Sequence, residues 1–318
     1  MFAHANASNA SAAPWGGAPA GGAAPGGGGA AAAWYWGLQP GGAGYLVALA
    51  QVSAVYYLGS ALLAHVLPAL LDGARRRGAG PGTRWLRAPG QDARRDALRS
   101  VGPLAVKALA WSAAAALHRA GRGRLYAGPV GGADHALYLL ACWVALDYLH
   151  DAWFYWTHRL LHHPWLLRRV HYVHHQSTVP TAFSGYSFHV AEAALVFLNE
   201  VLVCFLFPIH IKLHRVYHLF TTVIHCGGHA GYELQPFIPS VEQLMWFALR
   251  GARLAKGLNT ILHHDMHHQF PNKHFSLYFT HWDYLCGTMH GAYEPRARAL
   301  SRAFRGEGTE GGAGGKRE

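Results

Sequence analysis

Apolar positions along the chain come in long runs, and runs of that length predict helices. Residues 45–71 are long enough to cross a bilayer with tilt. Residues 104–117 are fewer, Ala-rich and carry Lys107, so they are expected to span weakly or only dip in. The run at 136–149 is also short. Residues 190–211 and 213–224 read as a helical hairpin turning near 208–212. Two acids inside it, Glu192 and Glu200, are expected to face a functional interior rather than lipid. Residues 1–33 are nearly all Ala, Gly, Pro, Ser and Asn without periodicity, and are expected to be disordered.

Composition sharpens this picture. The chain is 51% hydrophobic and only 14% charged, below the usual charged share of a soluble domain. Its net charge of +11 is compatible with nucleic acid or a membrane surface. The arginines decide between them, because Arg75, Arg76, Arg77, Arg84, Arg87, Arg94, Arg95 and Arg99 all follow the 45–71 run. That is where the positive-inside rule places a cytoplasmic loop, and no nucleic-acid motif accompanies them. Counting all five runs as spans puts the N-terminus in the lumen and the Arg-rich loop in the cytosol. Arg119, Arg122 and Arg124 would then fall in a lumenal loop, against the same rule, so the number of crossings stays open.

Smaller signals mark the ends. The aromatic cluster Trp34-Tyr35-Trp36 resembles an interfacial belt before a span. Asn6-Ala-Ser8 and Asn9-Ala-Ser11 fit the glycosylation pattern but lie in a biased segment. Gln39 stands where a fused haem domain would place a ligating histidine, which excludes that domain. No basic stretch precedes an apolar one as in a cleaved signal peptide. Cys142, Cys204, Cys226 and Cys286 form no C-x-x-C pair and read as reduced thiols.

The chemistry lies in the histidines, 24 of 318 residues. His171, His174 and His175 form an H-x-x-H-H triplet that recurs at His264, His267 and His268. Flat composition gives about 0.13 such triplets by chance. Two pairs spaced i, i+4 accompany them, His158 with His162 and His225 with His229. Residues three and four apart share a helix face, so each group presents two or three rings from one side. Imidazole is the commonest protein metal ligand near neutral pH and suits iron, zinc, copper and nickel. Ten such rings exceed what one metal can use.

The stretches "DAWFYWTHRLLHH", "HYVHHQSTVPTAF", "GGHAGYELQP" and "HHDMHH…SLYFTHWDYLCGT" resemble the sterol desaturase/fatty acid hydroxylase superfamily of membrane di-iron oxygenases, over about residues 134–293. The resemblance implies an all-α fold, an integral-membrane helical bundle with a cytosolic histidine-box di-metal cap. It implies the segments 1–42 (disordered), 43–133 (membrane segments and Arg-rich loop), 134–293 (catalytic domain) and 294–318 (disordered basic tail). As metal ligands it implies His158 and His162, His171, His174 and His175, His225 and His229, and His264, His267 and His268. A one-residue change of register would bring in His163 or His263 instead. Two iron ions, with zinc acceptable in recombinant protein, would use O2 and electrons passed from NAD(P)H through a separate reductase and cytochrome b5.

Neutral imidazoles leave such a centre cationic, so nearby acids should orient and balance the rings. Asp265 and Asp151 are the candidates for this catalytic support, and Asp283 is equally a structural cap. The expected activity is desaturation or hydroxylation of a lipid in the endoplasmic reticulum membrane. Residues around His158 and Pro180 are similar to C-5 sterol desaturases, whereas "GHAGYELQP" is similar to C-4 methyl-sterol oxidases; fatty acyl and sphingolipid hydroxylases are further alternatives. A His-rich metal transporter would bury its ligands near the bilayer midplane, but these groups flank the apolar runs.

Overall fold

The computed structural model describes residues 39–76, 84–87, 92–234, 238 and 240–307. The N-terminal low-complexity segment, both Asn-x-Ser sites, Trp34-Tyr35-Trp36, Arg77 and the end of the basic tail lie outside the described residues. What is described is mostly helical.

Helix α1 (Gly41–Ala61) runs through a π-helical turn at Leu62–Val66 into Leu67–Arg76. It buries Gly44, Ala48, Val52, Tyr56 and Ser60, every fourth residue and therefore one face. Leu46, Leu58, Leu62, Val66 and Leu70 are exposed. Apart from Tyr56 the inward side chains are small or medium-sized, while large apolar ones face outward, which suits a helix packed on protein with an apolar surrounding behind it.

Against this face packs α2 (Val101–Arg119), preceded by the short helix Ala93–Arg99. Gly41–Gly73 and Ala93–Arg119 are long and apolar enough to cross a membrane, by length and composition. The 104–117 run is thus one part of a longer helical stretch. Pro103 sits in the first turn, where the helix has no bond to lose, and Lys107 is paired with the buried Glu200. Trp111 Nε1 donates to the same carboxylate at 2.6 Å.

Helix α3 (Gly132–Leu161) has 30 residues, so the 136–149 run is only its first part. The second part carries Asp151 and His158. The expected hairpin is also modified. Its first limb is not one helix but α4 (Val190–Phe197), a turn at Asn199–Leu202 and a 3-10 turn at Val203–Phe205. Neighbouring polar side chains here engage different helices: Asn199 bonds His150 of α3 at 2.8 Å, and Glu200 holds Lys107 and Trp111 of α2. The return limb α5 (Ile211–Gly228) starts where His210 Nδ1 accepts the Lys212 N–H at 3.1 Å.

Two short strand pairs fasten the loops. β1 (Arg84–Trp85) runs antiparallel to β4 (Tyr232–Glu233), with Arg84 opposite Glu233; β2 (Leu125–Tyr126) runs parallel to β3 (Ile209–His210). The remaining helices are α6 (Val241–Arg250), α7 (Ile261–Gln269), the short His281–Leu285 and α8 (Tyr293–Phe304). Tyr293 and Ala297 of α8 pack on Leu262 and Met266 of α7, so ordered chain continues past the 293 boundary expected from sequence. One apolar core joins α1, α2, α4 and the 3-10 turn Ala182–Tyr186 through Ala48, Val52, Tyr56, Trp111, Tyr186 and Phe197. A second, with Phe154, Ile224, Ile238, Ile261 and Leu277, lies beneath the histidines.

Candidate metal centre

Four stretches of chain converge here. The C-terminal end of α3 brings His158 and, as its C-cap, His162. A π-helical turn at Leu167–His171 leads into Tyr172–His175 and presents the first triplet; such widened turns concentrate at functional sites. His225 lies in the last turn of α5, and His229 caps that helix. Helix α7 is capped by Thr260 Oγ1, which accepts the His263 N–H at 3.2 Å, and it is buried from Ile261 to His268.

Nine of the ten expected rings fall into two sets. His158, His162, His171, His175 and His267 bring ligand atoms within 4.8 Å of one another, and His174, His229, His264 and His268 do the same. The triplets divide in opposite senses. His171 and His175 join the first set and His174 the second, whereas His264 and His268 join the second and His267 the first. Helical geometry produces this division. Positions i and i+4 differ by about 40° around the axis, while i+3 stands about 100° from i+4. Each triplet therefore contributes to both sets.

Within the sets the Nε2 atoms face one another. The separations are 3.2 Å for His162–His175, 3.1 Å for His175–His267, 3.3 Å for His174–His229, 2.8 Å for His229–His264 and 3.2 Å for His264–His268. Donors about 2.1 Å from a shared cation stand about 3.0–3.4 Å apart at right or tetrahedral angles, so the spacing fits a metal. The far nitrogens fix the tautomer. Nδ1–H donates to a backbone carbonyl from His158 (Phe275, 3.1 Å), His229 (His225, 2.7 Å) and His267 (Lys273, 2.7 Å), leaving the Nε2 lone pairs directed inward. Burial, reinforced by neighbouring rings, holds His158 down to about 4 and His175 to about 3. Burial likewise holds His229 to about 4. These rings are neutral at physiological pH.

His225 joins neither set. Its Nδ1–H donates to Thr221 O at 2.7 Å, and its buried Nε2 has no hydrogen-bond partner among the described residues. The ring lines a narrow cavity whose wall also includes His158 and His171 of one set and His174, His229 and His264 of the other. Phe154, Leu161, Phe188 and Val196 make the apolar part of that wall. Backbone contact keeps α5 close: a Cβ on Gly185 would sit 2.8 Å from His225 O. Of the register alternatives, His163 caps a turn by accepting the Trp165 N–H, and His263 Nε2 lies 3.1 Å from Asp283 Oδ2. Neither belongs to a set.

The acids differ from expectation. Asp151 Oδ1 accepts the N–H groups of Leu277, Tyr278 and Phe279 at 3.0, 2.7 and 3.3 Å. Asp265 accepts Arg87 Nε and Nη2 at 2.8 and 2.6 Å and Gln269 Nε2 at 2.7 Å. Among the described residues neither bonds an imidazole; each fastens a segment that carries or supports a ring. Asp283 does the same through the Phe275 and Ser276 N–H groups, both at 3.0 Å, and it also lies beside His263. Among the described residues, the carboxylate that meets a ring of the sets is Glu192, whose Oε1 accepts from His171 Nδ1 at 2.8 Å. Its sequence signal was a buried acid in an apolar run. Asp96 carried no such signal; it gathers the hydroxyls of Ser177, Ser184 and Ser187 at 2.8–3.0 Å behind the first triplet.

The similarity to known proteins covers the segment that carries these rings. Residues 143–288 match the family model described as fatty acid hydroxylase. The chain is 32% identical over 158 residues to the cholesterol 25-hydroxylase-like protein of Danio rerio, covering 48% of this chain and 55% of that protein. It is 30% identical over 150 residues to lathosterol oxidase of Homo sapiens, covering 46% and 44%. Against the C-4 methylsterol oxidase of Schizosaccharomyces pombe the identity is 28% over 169 residues, covering 50% and 51%. The chain thus spans about half the length of the curated relatives it matches. No solved structure matches.

Proposed function

We propose, for a chain whose residues 143–288 belong to the sterol desaturase/fatty acid hydroxylase superfamily, that it is a membrane-bound di-iron oxidoreductase oxidising a sterol. The observation that carries this reading is the convergence of nine buried or half-buried imidazoles into two adjacent sets. The ten histidines of the sequence pattern are the proposed ligands, with His225 completing the centre from the cavity wall. Two iron ions there supply redox chemistry with O2 that zinc lacks. The protein's own part is to keep the rings neutral and directed inward, with Glu192 holding the His171 Nδ1 proton. Phe154, Leu161, Phe188 and Val196 exclude water and hold an unactivated C–H bond beside the rings.

The proposed catalytic unit is residues 134–293, extended by α8. The proposed setting is the endoplasmic reticulum membrane, with the histidines on the cytosolic side and cytochrome b5 and an NAD(P)H-linked reductase as electron donors. Desaturation at C-5 is the proposed reaction, supported by the residues around His158 and Pro180 and by the similarity to lathosterol oxidase. The similarity to cholesterol 25-hydroxylases supports hydroxylation as the second reading. The two share their first event, hydrogen abstraction from carbon. Membranes containing the chain, iron, NAD(P)H and the donors are to be supplied separately with lathosterol, a C-4-methylated sterol and cholesterol. A new ring double bond in the first alone supports C-5 desaturation. A hydroxylated product from cholesterol alone reverses the order, and product only from a fatty acyl or sphingoid lipid removes sterols.

A further inference from the structure

Helix α6, between His229 and His264 in sequence, has its faces reversed. A helix on the aqueous surface of a protein turns its apolar stripe inward, as α8 does by burying Tyr293 and Ala297 while Arg296 and Arg298 are exposed. In α6 the side chain turned inward is Gln243, 3% exposed. Leu244, Met245, Phe247 and Leu249 are 49, 58, 37 and 77% exposed. At 100° per residue, Val241, Leu244, Met245, Ala248 and Leu249 form one continuous stripe, and Arg250 stands opposite it. Arg250, Arg253 and Lys256 are exposed at and just beyond its C-terminal end.

The helix is nevertheless well built. Ser240 Oγ accepts the Gln243 N–H at 3.1 Å, and Gly251 ends it at φ +63°. Trp246 Nε1 donates to Arg253 O at 2.5 Å, folding the basic segment back along it. The outward stripe continues into an apolar groove formed by Leu139, Leu140 and Trp143 of α3, Leu213 and Phe220 of α5, and Val241 and Leu244 of α6.

We propose that α6 lies in the plane of the membrane interface, its Leu244–Met245–Leu249 stripe inserted into the acyl region of an anionic lipid leaflet. Arg250, Arg253 and Lys256 then stand at the headgroups, the arrangement of an in-plane amphipathic helix. The groove beneath α6 opens to the same leaflet, between the two helices that carry His158 and His225. This inference rests on the reading that the chain is membrane-bound. A second protein chain is disfavoured as the partner because the apolar stripe ends in like charges with no acid among the exposed residues of the helix.

The test uses the full chain reconstituted in vesicles of phosphatidylcholine and phosphatidylserine. A Cys286→Ser background leaves the buried Cys142, Cys204 and Cys226. A polarity-sensitive fluorophore is attached in turn to Leu249→Cys, to Leu58→Cys on the exposed face of α1, and to Arg298→Cys on α8. The expected result is a blue-shifted Leu249 label, quenched by a nitroxide placed high on the lipid acyl chain and shielded from aqueous iodide, with the Arg298 label behaving oppositely. Leaving out phosphatidylserine is expected to lower the lipid quenching at Leu249, and no change overturns the headgroup part. A Leu249 label as open to iodide as that at Arg298, with Leu58 lipid-quenched, overturns the proposal and leaves the membrane reading standing. Iodide access at both Leu249 and Leu58 overturns both.

Discussion

The two sets of rings differ in how the chain assembles them. Four of the five members of the first lie between His158 and His175, and only His267 comes from far away. The second draws its four members from three distant places, His174, His229 and the pair His264 and His268. Enclosure differs as well: His162 and His175 of the first set are half-buried, and His162 lines a surface cleft together with Arg159, His163 and Phe270, whereas all four rings of the second are buried. A locally assembled set needs few long loops closed before it exists, and a tertiary set needs the whole fold. The first is therefore expected to tolerate local loosening, and the second to report on the integrity of the bundle.

The largest expected effect comes from removing a ring where there are fewest. His229→Ala or His268→Ala leaves three members in the second set, and is expected to lower metal from two ions to about one per chain and to abolish turnover. His171→Ala in the first set is expected to abolish turnover too, with four rings still able to hold metal. Metal analysis and product formation on membrane-inserted protein distinguish the cases. Near-normal turnover in any of the three shows that the ring was wrongly assigned, and equal metal loss in all three removes the contrast between the sets.

Next in size is Glu192, which meets the first set alone. Glu192→Ala removes the partner that fixes His171 Nδ1–H, and losses of about 10–100-fold in metal affinity follow such changes. Glu192→Gln keeps an acceptor for that proton and is expected to recover much of the loss. If the two variants bind metal equally poorly, it is the charge and not the orientation of His171 that matters.

How much of this was legible follows from the range of the contacts. The ring groups were visible because i, i+3 and i+4 spacing is local, and the splitting of each triplet follows from the same helical angles. What the spacing could not show is which distant carboxylate meets which ring. Asp151 lies two turns before His158 and was expected to serve it directly. Instead it takes three N–H groups of residues 277–279, beyond the Phe275 carbonyl that orients His158. The arginines were read only as a charge signal, yet Arg87 and Arg95 bond Thr178 O and Ser177 Oγ, next to the first triplet. The broken limb at 190–211 was missed because hydropathy averages over Asn199 and Glu200, whose different partners interrupt the helix.

Acid tests a property in which the sets should not differ. Burial lowers His158, His175 and His229 to about 4, 3 and 4, against about 6.5 for an exposed ring. In metal-free protein the unfolded chain then takes up protons that the folded chain refuses. The stability contributed by these rings is full above about pH 6.5 and is lost as pH falls toward their folded values. The unfolding temperature of metal-free protein is expected to fall from pH 8 to pH 5. A temperature that stays level would mean that the rings are hydrated in the absence of metal.

The smallest effect separates a latch from a ligand. Arg87 joins the outer side of α7 to Thr178, just beyond the first triplet, with Nε and Nη2 on Asp265 and Nη1 on Thr178 O at 2.8 Å. Asp265 is 3% exposed, so Arg87→Ala leaves a buried carboxylate with Gln269 as its remaining side-chain partner among the described residues. Hydrogen bonds to charged groups of this kind contribute about 1.5–3 kcal/mol, and a loss of that order is expected in denaturant unfolding. Metal content and turnover of the folded protein are expected to stay near those of the parent, because neither partner reaches a ring. Asp265→Asn removes the charge but keeps an acceptor for Arg87, and is expected to cost less. Should Arg87→Ala instead empty the second set while the protein remains folded, the seat of α7 depends on this one latch. The distant assembly of that set would then be held from outside the bundle rather than by the core beneath it.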